Sequence, residues 1–371
     1  MTSASRPLRL GILGAGTIAV TSYGVLPNLK HIQDKVELVA VADPSSERAK
    51  QASVEFGIPE VYTELGDMLD KADIDVVVNL TPITFHGETS RRIVESGKHL
   101  VSEKPLGSTM DEADTIIETA AANNVKIVCA PPDMLHPPYY EARRLLDADT
   151  IGKVAFARVR SSHAGPGGGP GGWPLDPTWF YQEGSGPLLD MGVYGIHEIT
   201  GLLGPAKRVT AFSGITEPVR VVRGGPFKGT EIEVTADDNS LFMLDFGGST
   251  FAVVDGTFNV HASRSPKVEI FGRRGAMNIY DPRGDEPLEV YRTDVAPGVD
   301  GWVAPARWPA LHDAWVDKLQ RAILVDHLAD CVRDDTHPVL SAEHARHALE
   351  IMLAVNTSAR QGRVVELQTT F

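Results

Sequence analysis

The sequence predicts an α/β protein of two domains, a parallel sheet with helices followed by a largely antiparallel sheet. The chain has 371 residues, more than one hydrophobic core usually supports. Up to about residue 130, short β-branched runs alternate with helical stretches, which is typical of βαβ units. Later runs of strand length follow one another without helices between them, which indicates antiparallel pairing. We therefore predict domains at 1–130 and 131–371.

The elements of the first domain follow from hydrophobic periodicity and from Gly, Pro or Asn at the ends of each segment. The predicted strands are 8–13, 36–42, 76–80, 99–102 and 125–130. The predicted helices are 45–56, 83–96 and 110–123. Each helix lies between two strands, so the strands are expected to run parallel.

The second domain is predicted to begin with a helix at 139–146 and a strand at 153–161. A loop at 164–177 is rich in Gly and Pro, and loops of this length are more often functional or mobile than merely connecting. Six further strands are predicted at 209–213, 231–236, 240–246, 250–259, 267–271 and 276–280. Helices at 310–333 and 342–357 and a short strand at 364–367 follow.

Composition excludes several classes of protein and partner. Apolar residues make up 42% and charged residues 23% of the chain, as in soluble globular proteins. The formal charge of −14 repels a phosphate backbone, so no nucleic acid partner is expected. No apolar run reaches the length of a membrane-spanning helix, so we expect no membrane partner. Two cysteines allow at most one disulfide, which favours a reducing cytoplasm.

A glycine-rich loop follows the first strand and reads Gly14-Ala15-Gly16-Thr17-Ile18-Ala19. Its glycines let the backbone turn sharply and approach a pyrophosphate, whose charge a helix N-terminus favours. Taken alone, this pattern fits an ordinary βα turn equally well. Asp43 decides between them, because it ends the next strand, where a carboxylate can accept hydrogen bonds from both adenosine ribose hydroxyls. We predict a Rossmann domain that prefers NAD over NADP, with Arg48 close enough in sequence for a phosphate contact.

Further cofactor contacts are expected where the third and fourth strands end. Thr81-Pro82 follows the third strand and Glu103-Lys104-Pro105 the fourth; a plain turn and a solvated loop lysine are the alternatives. Pro105 holds its neighbour extended, so the Lys104 ammonium could orient a substrate hydroxyl, polarise a nascent carbonyl or lower the pKa of a neighbour. The predicted cofactor-binding residues are Gly14, Gly16, Thr17, Ile18, Asp43, Thr81, Pro82, His86, Glu103 and Lys104.

A second group of polar residues follows the glycines at 184 and 186. Asp190, Tyr194 and His197 are spaced i, i+4, i+7, which puts them on one face of a predicted helix. Tyr and His at this spacing could be packed core residues with satisfied polar tips. Asp190 precedes them on the same face, and a carboxylate there makes a purely structural role for Tyr194 and His197 less favoured.

The chain resembles the family of glucose–fructose oxidoreductases, inositol dehydrogenases and MocA-like proteins. The resemblance rests on the loop at 14–19, on Glu103-Lys104-Pro105, on Asp190-x-Gly192-x-Tyr194 and on Gly362-Arg363-Val364-Val365-Glu366-Leu367. It implies an α/β fold, with an N-terminal Rossmann domain followed by an α/β domain with a large open, mostly antiparallel sheet. It also implies homodimers or homotetramers formed through that sheet.

The resemblance also implies catalytic roles. Family members commonly carry Lys at 104, Asp at 190 and His where this chain has Tyr194. Tyr is similar to the branch of glucose–fructose oxidoreductase and the dimeric dihydrodiol dehydrogenases, where it stands in the acid/base position. An unperturbed phenol titrates near pH ~10, and Lys104 close by would lower that pKa. We expect Tyr194, assisted by Lys104, to take a proton from a substrate hydroxyl while hydride passes from the same carbon to the nicotinamide.

Other residues are expected to contact the substrate. Asp190 would position Lys104 or a substrate hydroxyl, and His197 is either a substrate ligand or alternative base, or a structural residue. Trp173 and Trp179 offer indoles that suit the apolar face of a sugar ring, with plain packing as the alternative.

These residues and the resemblance predict an NAD(P)-dependent oxidoreductase acting on a sugar, sugar derivative or cyclic polyol. An Asn-Arg pair that family members often carry is replaced here by Ala130-Pro131-Pro132-Asp133, which leaves the substrate class open within that range. His344 and His347 lie three apart but without a third ligand, so we predict no metal. The alternatives are a glycoside hydrolase that retains NAD and oxidises its substrate transiently, and a non-catalytic dinucleotide-binding regulator.

Overall fold

The structure, a computed structural model, describes residues 6–280, 287–305 and 319–371. Over these ranges the chain forms two compact units, one of residues 6–135 and 319–349 and one of residues 136–280, 287–305 and 350–371. The sequence predicts that everything after residue 130 stays together, whereas the structure groups 319–349 with the first unit. The reason is direct contact, since Cys129 donates its N–H to the Leu340 carbonyl at 3.0 Å and Lys35 pairs with Asp330 at 2.9 Å.

Six parallel strands form the sheet of the first unit. They are β1 Leu8–Leu13, β2 Val36–Ala42, β3 Glu60–Tyr62, β4 Val76–Asn79, β5 His99–Ser102 and β6 Ile127–Cys129. The helices between them are α1 Thr17–Val20, α2 Ser46–Phe56, α3 Leu65–Lys71, α4 Ile83–Glu95 and α5 Met110–Ala122. The middle strands are buried on both faces, which is why they are nearly continuous runs of Val, Ala, Leu and Ile. The sequence prediction gives no bounds for β3, α3 or α1, all of which are short.

The strand order of this sheet is β3-β2-β1-β4-β5-β6, with every neighbouring pair parallel. The order reverses beside β1, which lies between β2 and β4. In such sheets, ligands bind outside the carboxyl ends of the strands at the point of reversal. The predicted Rossmann architecture is therefore confirmed, and it gathers the loops after β1, β2, β4 and β5 at one edge.

Over its described residues, the second unit contains the other eleven strands and two complete α-helices. The helices are α6 Pro137–Asp147 and α7 Val193–Leu203. The strands are β7 Val154–Arg160, β8 Arg208–Gly214, β9 Val219–Val221, β10 Glu231–Glu233, β11 Asn239–Gly247, β12 Thr250–Thr257, β13 Val268–Gly272, β14 Gly275–Ile279, β15 Leu288–Ala296, β16 Val299–Val303 and β17 Val365–Glu366.

Nine of these strands form one sheet in the order β16-β15-β14-β13-β7-β12-β11-β8-β17, and β9 pairs only with β10. All neighbours are antiparallel except β7 and β12. The predicted large, mostly antiparallel sheet is confirmed. The sequence prediction does not include β9, β15 or β16.

Two helices follow near the end of the chain. Helix α8 covers Ala322–Arg333 and belongs to the first unit, and α9 covers Ala342–Gln361, with its residues divided between the two units. The predicted helix at 310–333 begins outside the described residues, at positions 310–318.

One face of the nine-stranded sheet is covered by α7. Gly195 permits this close approach, because a Cβ there would lie 2.9 Å from the Ser161 Cβ and 3.0 Å from Val159 Cγ1. The opposite face carries large apolar side chains that are exposed, among them Phe156, Phe212 and Phe251. One face of the sheet is therefore packed against α7, and the opposite face is exposed.

Candidate active site

The glycine loop after β1 forms a cradle at the edge of the parallel sheet. Gly14 has a φ of +97°, and a Cβ there would lie 2.9 Å from the Leu80 carbonyl oxygen, so the turn requires glycine. A Cβ on Gly16 would meet nothing within 4 Å, so the backbone there borders open space. Thr17 begins α1, which is only one turn long. Bare backbone beside open space fits the pyrophosphate of a dinucleotide.

Asp43 lies immediately after β2, beside this loop. It is 4% exposed, and its carboxylate accepts from the N–H groups of Ala15 at 2.9 Å and Ser45 at 2.8 Å. Arg48 donates from Nη2 to the same carboxylate at 2.7 Å. Burial opposes ionisation of Asp43, but Arg48 and the two N–H donors outweigh it and lower the pKa below its ordinary value. A buried anion held in this position suits the ribose hydroxyls of NAD.

His86 is 1% exposed, and its contacts are with backbone rather than open space. Its Nδ1 lies 2.6 Å from the Pro105 carbonyl oxygen and its Nε2 lies 2.7 Å from that of Thr81. Carbonyl oxygens only accept, so a neutral imidazole donates to one of them and a doubly protonated ring donates to both. His86 thus ties the segment after β4 to the segment after β5. His86 was predicted to bind the cofactor. In the structure it supports the two loops that carry other predicted cofactor-binding residues, Thr81 and Lys104.

The segment Glu103-Lys104 leaves β5 at the same edge, and the Lys104–Pro105 peptide is cis. Glu103 donates its N–H to the Asn79 carbonyl at 3.0 Å, and its buried carboxylate forms an ion pair with Arg321. The backbone N–H of Lys104 donates to the same carboxylate at 3.3 Å. Asn79 and Arg321 are residues that sequence reasoning missed, and they fix the peptide from which Lys104 extends.

In the second unit, Asp190 lies in one turn of π-helix, Leu188–Gly192, which leads directly into α7. The continuous α-helix predicted from Asp190 to His197 is thus replaced at its start by a π turn. π turns inside helices occur frequently at functional sites. Ser161, at the end of β7, supports this one, because its hydroxyl donates to the Met191 carbonyl and accepts from the Gly195 N–H at 3.1 Å.

His163 is a neighbour of Asp190 that sequence reasoning missed. Its Nε2 lies 3.9 Å from Asp190 Oδ2. The Gly165 N–H donates to His163 Nδ1 at 2.8 Å, so Nδ1 is the acceptor and Nε2 carries the proton. The Nε2–H group is therefore on the Asp190 side of the ring. A histidine just after a strand was the only available signal in the sequence.

Tyr194 and His197 lie in α7 with different exposure. Tyr194 is half-buried, whereas His197 is 2% exposed. This burial favours the structural alternative for His197. Lys267, which sequence reasoning also missed, places its Nζ 6.0 Å from the centre of the Tyr194 ring.

The two tryptophans lie in and after the Gly/Pro-rich loop. Trp173 and Trp179 both pack edge-on against Phe180, with ring centres 5.8 and 5.0 Å apart. Trp179 is 45% exposed and Trp173 is half-buried. The loop is anchored, because Arg223 donates its N–H to the Gly167 carbonyl at 2.9 Å. Trp179 is thus the indole with more surface left for a ligand.

Two kinds of feature are absent from the described residues. Within 6–280, 287–305 and 319–371, no group of three or more His, Cys, Asp or Glu side chains is placed to hold a metal ion. Over the same part of the chain, no helix is both long and apolar enough to cross a membrane.

Comparison with known proteins identifies the family. Residues 8–130 match a model described as an oxidoreductase family with an NAD-binding Rossmann fold, and residues 139–278 match the GFO/IDH/MocA C-terminal domain. The chain belongs to the GFO/IDH/MocA oxidoreductase family. The predicted family and the predicted class of cofactor, a nicotinamide dinucleotide, are thereby confirmed, as is the expectation of an oxidoreductase.

Individual members of the GFO/IDH/MocA family match along most of the chain. The scyllo-inositol 2-dehydrogenase (NAD(+)) of Bacillus subtilis is 26% identical over 365 residues, covering 97% of this chain and 96% of that protein. The levoglucosan dehydrogenase of Pseudarthrobacter phenanthrenivorans is 25% identical over 312 residues, covering 78% and 77%. A solved levoglucosan dehydrogenase in complex with NADH superposes with a TM-score of 0.83 at 22% identity, covering 98% and 100%.

Proposed function

We propose that this protein is an NAD(P)-dependent dehydrogenase that oxidises a hydroxyl-bearing carbon of a sugar, sugar derivative or cyclic polyol, or reduces the corresponding ketone. The observation that carries the proposal is the group of polar side chains around the π turn of the second unit. Asp190, Tyr194 and His163 are all partly accessible there. A carboxylate, a phenol and an imidazole N–H offer hydrogen bonds to several hydroxyls of one ring.

The chemistry divides between cofactor and chain. When bound, the nicotinamide supplies the hydride acceptor or donor. Tyr194 accepts the proton of the reacting hydroxyl, so the alcohol carbon loses a hydride, its oxygen loses a proton and a carbonyl forms. Asp190 and His163 bind neighbouring hydroxyls and orient the ring. Lys104 is assigned to the same step, as the cation that orients the reacting oxygen.

The substrate class is supported by the relatives. They include inositol and levoglucosan dehydrogenases, so cyclic polyols and anhydrosugars are the first compounds to test. Trp179 offers an exposed indole for the apolar face of such a ring.

The purified protein should be tested with NAD and with NADP against a panel of inositols, aldoses and anhydrosugars, followed by nicotinamide absorbance. We expect at least one compound to change the absorbance stoichiometrically with product. Release of an aglycone from a glycoside with no net change in nicotinamide would identify a hydrolase instead. Tight dinucleotide binding without turnover of any compound would favour a regulator.

The role of Tyr194 is tested by Tyr194→Phe, with Tyr140→Phe as the matched exposed control. General acid–base residues contribute about 10²–10⁴-fold to rate, so we expect a loss of kcat of that size in Tyr194→Phe. NADH affinity, measured by fluorescence, should stay unchanged. Turnover near that of the wild type would remove Tyr194 from the mechanism, and Lys104→Ala tests Lys104 in the same way.

We further propose that the protein forms homodimers or homotetramers through the open face of the nine-stranded sheet. One cross-strand row on that face runs through Trp302, Tyr291, Phe271, Phe156 and Phe251, with Ala276 between the second and third. Cross-strand neighbours share a face, so the row is an aromatic surface, interrupted by Ala276, of the kind that marks interfaces. Phe251→Asp should dissociate the assembly in light scattering, whereas Leu175→Asp, on an exposed loop, should not.

We place the protein in the cytoplasm, because Cys129 and Cys331 are free and buried.

A further inference from the structure

A buried ion pair lies beside Tyr194, and the proposed chemistry gives it no role. Glu198 of α7 is 0% exposed, and its carboxylate pairs with the ammonium of Lys267, which immediately precedes β13. Removing Lys267 from this pair would leave the Glu198 carboxylate in low dielectric without its counter-ion, which is strongly unfavourable. The carboxylate therefore holds the Lys267 ammonium in place.

The same ammonium reaches Tyr194. Tyr194 and Glu198 are four residues apart in α7, so their side chains lie on one face of the helix. Lys267 pairs with Glu198, and its Nζ is 6.0 Å from the centre of the Tyr194 ring, at the outer range of a cation–π contact. One fixed cation thus faces both residues, and it belongs to the same unit as the phenol.

We propose that Lys267, anchored by Glu198, is a positioning residue for Tyr194: it places a positive charge over the ring and so fixes the orientation of the group that exchanges a proton with the substrate. This inference rests on the proposed role of Tyr194. A ring held in one orientation keeps the Tyr194 hydroxyl directed at the reacting oxygen, and such positioning contributes to the rate. Lys267 supplies this charge whether or not cofactor is bound.

Lys267→Gln and Lys267→Arg test the proposal on the full-length protein, with Lys153→Gln, an exposed lysine of the same unit, as the matched control. We expect Lys267→Gln to lower kcat about tenfold, a fraction of the ~10²–10⁴-fold that an acid–base residue contributes. KM and the NADH dissociation constant from fluorescence should stay within about twofold, and Lys267→Arg should recover most of kcat, because it restores the cation. A Lys267→Gln enzyme with the kcat of the wild type overturns the proposal.

The double variant Tyr194→Phe/Lys267→Gln separates this inference from the function on which it rests. If Lys267 acts through Tyr194, the double variant is no slower than Tyr194→Phe alone, whereas a multiplied loss shows an independent structural effect and overturns the proposal. If Tyr194→Phe retains full turnover, the proposed function of Tyr194 fails first. Should Lys267→Gln not fold, Glu198→Gln keeps the shape and frees the ammonium; kcat must still fall, and an unchanged kcat contradicts the proposal.

Discussion

The two units assemble their functional groups in different ways. In the first unit, Gly14, Asp43 and Lys104 each lie just after a strand of one parallel sheet, and parallel strands all point their carboxyl ends to the same edge. In the second, Ser161 follows a strand of a mixed sheet, and its hydroxyl bonds to Met191 in the π turn that carries Asp190. A functional group in the first unit therefore follows from local sequence, whereas one in the second depends on long-range pairing.

The units also hold their groups by different means. The Lys104 segment is fixed by a buried ion pair between Glu103 and Arg321, which lies just before α8. The π turn is fixed by the neutral hydroxyl of Ser161. We therefore predict that breaking the Glu103–Arg321 ion pair lowers the free energy of unfolding more than removing the Ser161 hydroxyl does.

The largest effect is expected from Arg321→Met in the first unit. The substitution leaves the Glu103 carboxylate buried without its cation, and removing one partner of a buried pair costs about 3–5 kcal/mol. Because 19% of the Arg321 side chain is exposed, we expect the lower end of that range. Urea unfolding measures the loss of free energy. Arg333→Met removes two surface ion pairs at the end of α8, with Asp330 and Asp334, and should cost much less than Arg321→Met; equal losses in the two variants would show that the buried pair has no special weight.

A smaller effect is expected from Ser161→Ala in the second unit. The variant loses two hydrogen bonds and leaves the Gly195 N–H buried without its acceptor, which costs about 2 kcal/mol. Since the π turn carries Asp190, we also expect kcat to fall. NADH affinity should not change, because the glycine cradle lies in the other unit. Ser263→Ala, on an exposed turn, is the control, and a Ser161→Ala enzyme with full kcat would show that the π turn needs no such support.

The fold was predictable where structure is decided locally. The strands Leu8–Leu13, Val36–Ala42 and His99–Ser102 are found as predicted, because buried runs of β-branched residues bounded by turn residues indicate strands. Strand β15, Leu288–Ala296, was not, because its sequence contains Glu, Arg, Thr and Asp and obtains its order from pairing with β14 and β16. Such a strand is specified by its neighbours rather than by its own pattern.

The candidate site divides in the same way. Asp43 could be placed beside the glycine loop from sequence, because both follow adjacent strands of one sheet. His163 and Lys267 could not, since a histidine just after a strand and a lysine just before one are too common to indicate a site. The π turn at Asp190 was also beyond sequence reasoning, because propensity rules assume an uninterrupted helix.

A further prediction concerns how the Gly/Pro-rich loop is held in the second unit. Tyr181 donates its hydroxyl to the Pro166 carbonyl at 2.8 Å, and burial raises its pKa to about 12. An unfolded Tyr titrates near pH ~10. The contribution of Tyr181 to the free energy of unfolding is thus fully present below pH ~10, and it is lost as pH rises toward the pKa of Tyr181 in the folded protein. Tyr181→Phe should cost about 1 kcal/mol at pH 8, and its difference from the wild type should shrink at pH 11; Tyr140→Phe, exposed on α6, should show no such trend in urea unfolding.

The smallest effect is expected from Arg48→Ala in the first unit. It tests whether residues next to β2 set the preference for NAD over NADP. Arg48 neutralises part of the charge of Asp43, yet the carboxylate keeps its two backbone N–H donors when the guanidinium is removed. Arg48→Ala should therefore leave the NAD site intact. The 2′-phosphate of NADP would then meet the full negative charge of the Asp43 carboxylate. We expect the ratio of kcat/KM for NAD over NADP to rise about threefold, equivalent to less than 1 kcal/mol. Lys50→Ala, on the same helix, should leave the ratio unchanged. If the ratio falls instead, Arg48 serves as a ligand of bound NAD itself, and cofactor choice at this edge depends on more than the carboxylate that ends β2.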